Sequence, residues 1–251
     1  MWDTYIIIPM TNVLLWIYDI IGHNFGVAII LFTMLIRAIT WPLTAQQLKG
    51  TQGMQELQKD KEWLGIQKKY KDNKEKLAQE QMRIYKERGI NPFGSCLPTL
   101  IQFPVIIGLY QSIIRSLAAT PLSLLNFSRS LYSFLDVKEI IPLNSTFLWM
   151  DLGRPESVNV FGFALPTLAI IVVITSYIQS KLMTPPANPG DQSAAMGNMM
   201  SIYMPFLMGY FAMTFASGLA LYFITSNLLG VAQYAMMGRA NWSNLIPGKK
   251  N

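Results

Sequence analysis

Charge is scarce in this sequence. Only 14% of the 251 residues are Asp, Glu, Lys or Arg, against about 25% in an ordinary soluble domain. Cysteine occurs once, at Cys96, which excludes an intrachain disulfide, and with a single histidine, His23, no His/Cys metal cluster can be assembled. Neither a Walker-type nor a dinucleotide glycine fingerprint is present, which removes phosphate-loop chemistry. No enzyme and no cofactor are expected from such a composition. What is abundant is apolar: 51% of residues are hydrophobic, and the balance points to a membrane protein.

A bilayer-crossing helix needs about 20 mostly apolar residues. Long runs without acids or bases predict five of them: 25–45, interrupted only by Arg37, then 96–114, 160–180, 199–215 and 218–237. Ala216 and Ser217 alone separate the last two, so these form a tight helical hairpin. Strands of a membrane barrel would run to about 10 residues with in/out alternation, which these runs lack. The expected fold class is therefore an all-α polytopic membrane protein.

Residues 1–24 are expected to hold an interfacial amphipathic helix, because Thr4, Thr11, Asn12 and Asp19 gather on one side of a helix over 4–21. The segment 46–92 carries eleven basic and seven acidic residues. It is expected to form a helical hairpin: one helix through "QELQKDKEWLGIQKKY", a turn at Lys71, Asp72 and Asn73, then "KEKLAQEQMRIYKER" capped at Gly89. Leu57, Leu64 and Tyr70, then Leu77, Met82 and Tyr85, give the two helices their apolar stripes. The outer segment 119–158 suits short helices at the membrane surface with Trp149 as anchor. "TPPANPGDQSAAMG" reads as a loop and 238–251 as a short basic tail.

Of the 20 basic residues, 15 fall on the side of the hairpin, and that side is expected to be cytosolic. An outer N-terminus and a cytosolic C-terminus follow, which needs an odd number of spans. Anionic lipid headgroups or ribosomal RNA are the polyanions that a basic hairpin could meet.

"LFTMLIRAITWPLT" places Arg37 near the middle of the first span. An arginine there costs about 2.5 to 3.5 kcal/mol on insertion scales, so it must face protein or water. No expected span contains an acid to relieve it. Thr33, Thr40 and Thr44 share its helical face, while Gln102 and Gln111, Thr175 and Gln179, and Ser226 and Gln233 punctuate the other spans. Converging, these faces would enclose a wet, positively charged groove suited to a transient anionic partner: an acidic residue on another protein's unfolded segment, or a small anion.

Several of these segments resemble one known family, the YidC-type membrane protein insertases, relatives of the mitochondrial Oxa and chloroplast Alb insertases. "LIRAITWPLT" looks like the family's arginine-bearing first core span, "NPFGSCLPTLIQFPVIIGLY" the second, and "FASGLALYFITSN" the turn into the fifth. "TFLWMDLG" is similar to the family's outer segment before the third span. Together with the basic hairpin, the likeness covers most of 25–237.

The resemblance implies a monomeric insertase and chaperone of a bacterial cytoplasmic membrane, with five helices around a hydrophilic groove open to the cytosol and to lipid. In it, Arg37, Thr33, Thr40, Gln102 and Ser226 line the groove, and Phe103, Ile106, Tyr222 and Phe223 form an apolar slide for clients. Implied partners are nascent membrane proteins and membrane lipids, with the ribosome and the Sec translocon as further candidates. The short tail does not resemble the long ribosome-binding tails of some relatives. The competing reading is a small ion or solute transporter with Arg37 as its anion site. No inverted repeat is apparent to support it, and five spans do not divide into equal halves.

Overall fold

A computed structural model gives the architecture and describes residues 1–58, 60–70, 73–89, 97–117, 127–135, 140, 143–160, 163–183 and 192–238. It is predominantly helical. A π-helical turn, Asp3–Ile7, leads into α1 (Ile8–Ile20), followed by α2 (Phe25–Gln58), α3 (Lys61–Lys69), α4 (Lys74–Glu87) and α5 (Leu97–Ser116). Two small antiparallel hairpins come next: β1 (Thr146–Phe147) with β2 (Met150–Asp151), and β3 (Val158–Val160) with β4 (Phe163–Leu165). Then come α6 (Thr167–Met183), α7 (Gln192–Thr214) and α8 (Ser217–Met236). Cys96, Lys71, Asp72, residues 184–191 and the tail from 239 lie outside the described residues.

Among the described residues, Phe25–Gln46 and Ser217–Met236 are long and apolar enough to cross a bilayer, and Thr167–Met183 is a shorter apolar helix. The first span ends at Gln46, close to the expected residue 45, while the helix that carries it runs on through Pro42 to Gln58, just before Asp60. There the Asp60 carboxylate accepts the Glu62 N–H at 2.8 Å and caps a new helix. The first hairpin helix is thus broken where the sequence predicts continuity. The second matches its expected limits, with Asn73 capping it and Gly89 at φ +65° beyond its end.

The hairpin core also differs from the expected stripes. Trp63, Ile66 and Ile84 join Leu57 inside it, with Tyr70, Leu77 and Tyr85 packed alongside, while Met82 is exposed. The break at Asp60 rotates α3, so Trp63 rather than Leu64 meets α4, its ring 5.3 Å from that of Tyr85.

Residues 127–130 are helical, but around Trp149 the two β-hairpins stand where short helices were expected. Leu148 takes φ +55° in the turn, and Trp149 Nε1 donates to Glu156. Glu156 in turn caps α6, accepting from Thr167 Oγ1 at 2.6 Å and from the Leu168 N–H at 3.1 Å. The same region caps α8: the N–H groups of Ser217 and Gly218 donate to the carbonyls of Arg154 and Leu152, answering donors that a helix start leaves open. A Cβ on Gly218 would lie 3.1 Å from the Leu152 carbonyl oxygen, so glycine permits this approach.

The expected polar face of the N-terminal helix divides: Thr4 is exposed and Asp19 half-buried, but the middle of the face is not turned to water. Thr11 and Asn12 are buried. Asn12 Nδ2 donates to the Ser130 carbonyl at 3.0 Å, and its Oδ1 accepts the Tyr132 N–H at 2.7 Å. The Tyr18 hydroxyl accepts the Asn144 N–H at 3.0 Å. The polar face is needed to hold the outer segment, and the exposed face carries Trp2, Tyr5, Trp16 and Ile20 instead.

Packing is uneven along the helices. In the first turns of α2 the buried positions are Phe25, Gly26, Ala28, Ile29, Phe32 and Thr33, and from Met34 to Gln46 every residue is half-buried or exposed. In α5, Leu109, Ser112, Ile113 and Ser116 are buried near the end that meets the outer segment, whereas Phe103 and Ile107 are exposed. The helices pack closely beneath the β-hairpins and open toward the α3–α4 hairpin.

Candidate functional site around Arg37

Arg37 sits on α2 just past the last buried turn, where packing has begun to open. Its Nη2 donates to Ser226 Oγ at 2.7 Å and to the Ser226 carbonyl at 2.8 Å, and its Nε approaches the same hydroxyl at 3.2 Å. These are neutral acceptors. Among the described residues no ion pair includes Arg37, and Nη1 donates to no protein atom. The guanidinium is held in place by hydrogen bonds but its charge is not neutralised.

The partner lies 189 positions further along the chain, and the register that brings it there is visible elsewhere. Ile29 packs against Gly218, and Arg37 against Ser226, so α2 and α8 run parallel and keep one offset over two turns. Between them Gly230 is a close-contact position: a Cβ there would collide with Gln179 Nε2 of α6 and lie 3.4 Å from Arg37 Nη2. Glycine lets three helices approach around the cation.

Of the residues expected in the groove, Arg37 and Ser226 are brought into direct contact. Gln102 joins them at one remove, its Nε2 donating to the Tyr222 hydroxyl, which is itself in hydrogen-bond reach of Ser226. Thr40 is half-buried and donates to the Ile36 carbonyl at 2.8 Å. Thr33 is wholly buried, its hydroxyl bonded to the Ile29 carbonyl of its own helix. It therefore packs beside the site rather than lining an open surface.

The expected slide residues divide. Phe103 is 46% exposed on α5, with half-buried Ile106 beside it. Tyr222 and Phe223 are 1% and 5% exposed, because α8 is enclosed on all sides along its first ten residues. The surface expected of them is covered in this conformation.

Three contributors to the site escaped singling out from the sequence. Gly230 is one. Asn227 is another, its Nδ2 donating to Ser176 Oγ at 2.7 Å and Thr175 Oγ1 at 3.1 Å, which ties α8 to α6. The hydroxyl of Tyr222 is the third, because an apolar role hid its polar tip. A polar residue every turn along one face, as at Ser226, Gly230 and Gln233, was the available signal.

Comparison with known proteins agrees with this architecture. Residues 16–243 match the family model described as 60Kd inner membrane protein. The chain is 36% identical over 237 residues to membrane protein insertase YidC 2 of Listeria innocua, covering 92% of this chain and 70% of that one. It is 32% identical over 234 residues to membrane protein insertase MisCA of Bacillus subtilis, covering 92% and 77%. Among solved structures, an active YidC insertase with its first transmembrane domain resolved superposes with a TM-score of 0.58 at 26% identity, over 94% of this chain and 46% of that chain.

Proposed function

The chain belongs to the 60Kd inner membrane protein family, and from that premise we propose that it is a membrane protein insertase that carries short polar tails of client proteins across the bilayer and releases their apolar helices into lipid. The observation that carries this reading is Arg37: a cation within an apolar span, bound among the described residues only by neutral Ser226 atoms and with its Nη1 unused.

Moving an acidic tail through about 30 Å of hydrocarbon is opposed by the desolvation of its charge and its main chain. Five helices with a cleft that is open from the cytosol and closed beneath the outer β-hairpins shorten that path. Half-buried Thr40 and Thr44 line the approach, and the tail's carboxylate meets Arg37 about midway. At 4 Å and a moderate effective dielectric such a pair gains about 4 kcal/mol. Arg37 need not give up Ser226 to make it, since Nη1 is open.

The client's apolar helix meanwhile lies against the exposed side chains of α5, with Phe103 and Ile106 as the slide, and partitions outward into lipid. With the helix gone, nothing retains the tail at the cation, so turnover requires no nucleotide. Lysine and arginine distribution sets the hairpin and C-terminus in the cytosol of a bacterial cell and the N-terminus outside, and the protein works as a monomer. The basic hairpin is the surface on which a ribosome or the Sec translocon would be met.

The test is insertion into protein-containing vesicles of a single-span client whose translocated tail bears one acidic residue. Wild type and Arg37→Lys insert it, and Arg37→Ala is slowed. Wild-type rates for Arg37→Ala would show that groove polarity alone suffices. Anion flux abolished by Arg37→Ala, without any insertion, would return the protein to the transporter class.

A further inference from the structure

Gln233 is buried, 3% exposed, and its Nε2 has no hydrogen-bond partner. Such a group is uncommon, because an unpaired amide donor kept from water bears its full desolvation cost. Its place on α8 explains what it faces. Ser226, Gly230 and Gln233 stand at i, i+4 and i+7, on one face of the helix. The first binds Arg37 and the second packs against both Arg37 and Gln179. The offset that pairs Ile29 with Gly218 and Arg37 with Ser226 sets Gln233 level with Thr44, two turns nearer the cytosol than the cation, roughly 10 Å along the axis. The Thr44 hydroxyl donates to the Thr40 carbonyl at 3.0 Å, and the Gln233 amide nitrogen has neither this oxygen nor any other as a partner.

We infer that Gln233, covered in this conformation like Tyr222 and Phe223, is uncovered as a client enters and is a second binding residue of the groove, donating its orphaned N–H to main-chain carbonyls of the client tail as the tail advances toward Arg37. This rests on the insertase reading and deepens it. An extended tail leaving water carries one unanswered carbonyl per residue whatever its sequence, and a single oriented donor answers them one at a time. Arg37 then discriminates by charge, and Gln233 supports any tail.

The experiment reconstitutes the full chain in vesicles with two single-span clients, one with a single Asp in its tail and one with no charged tail residue. Gln233→Met keeps the length of the side chain without the donor, and Gln233→Leu is a second apolar replacement. Both variants slow both clients about fivefold, the worth of one neutral hydrogen bond, with Tm equal to or above wild type because an unpaired buried donor is gone. Arg37→Ala, in contrast, slows the acidic client alone. Wild-type rates for both clients with both variants would overturn the inference. A loss of Tm and insertion together would assign Gln233 to packing and also overturn it. Slowing confined to the acidic client would trace the effect to Arg37 and reject a main-chain role. If the wild type inserts neither client, the insertase reading itself falls and takes this one with it.

Discussion

Arg83 of the α3–α4 hairpin donates to Glu80 at 2.7 Å and to Glu87 at 2.9 Å, and it lies 3.6 Å from Glu62, whereas among the described residues Arg37, between α2 and α8, has only the hydroxyl and carbonyl of Ser226. The exposed arginine is surrounded by carboxylates, whose hydrogen bonds and charge raise its pKa above the ordinary value. Two of its three nitrogens are hydrogen-bonded to carboxylates and the third lies beside another. The arginine in the apolar region, where a counterion would matter most, has none among the described residues. In water, pairing is easily made and easily replaced by solvent. Within a membrane a built-in carboxylate would neutralise the cation permanently, and the protein uses neutral acceptors that orient the charge and leave it available.

The most direct way to break this contrast is to give the span the hairpin's chemistry in reverse. Arg37→Glu replaces attraction by repulsion, and insertion of an acidic-tailed client should fall about a thousandfold, on the scale of ~4 kcal/mol, as measured by protease protection of the translocated tail.

Next comes the hairpin's own source of order, which is packing rather than its ion pairs. Trp63 is 1% exposed, so Trp63→Ala should cost about 3 kcal/mol of local stability. Amide exchange would then rise in α3 and α4 while the exchange of α8 stays as in wild type. A smaller effect is expected for Ser226→Ala, which removes two of the three bonds orienting Arg37 and costs about 2 kcal/mol, as for a hydrogen bond to a charged group. Thermal unfolding in detergent would register it, and insertion of neutral-tailed clients should change less than that of acidic ones. Smallest is Arg83→Ala: no measurable change in hairpin exchange at either low or high salt, as expected of an exposed ion-pair cluster. A large change there would mean that the two arginines are not as different as their partners suggest.

Legibility in the sequence followed the same division. The helices over 25–45 and 217–237 and the second hairpin helix were readable because hydropathy and caps are local signals. The break at Asp60 was not, since a carboxylate within a helical pattern is equally a solvated face residue, and only its own extended backbone makes it a cap. The polar residues of α1 misled for a different reason. Asn12 and Thr11 look like a water-facing stripe until a distant segment, Ser130 and Tyr132, supplies the partners that bury them. In the same way Tyr222 and Phe223, expected on an apolar slide by the family resemblance, are covered by the neighbours of α8 in this conformation.

What the amino-acid sequence determined by itself is the class of protein, the positions of its apolar helices, a hairpin of mixed charge, and the presence of one arginine that no acid in the expected spans could answer. Each depends on properties of a residue and its near neighbours: transfer free energy, helical periodicity and charge count. Tertiary structure alone decided that Ser226 would hold Arg37, that Gly230 would admit Gln179 beside it, and that Gln233 would be left with an unused donor. These depend on the register between helices separated by most of the chain. Close packing beneath the outer β-hairpins sets that register, with the carbonyls of Leu152 and Arg154 fixing the start of α8, and no local pattern encodes it.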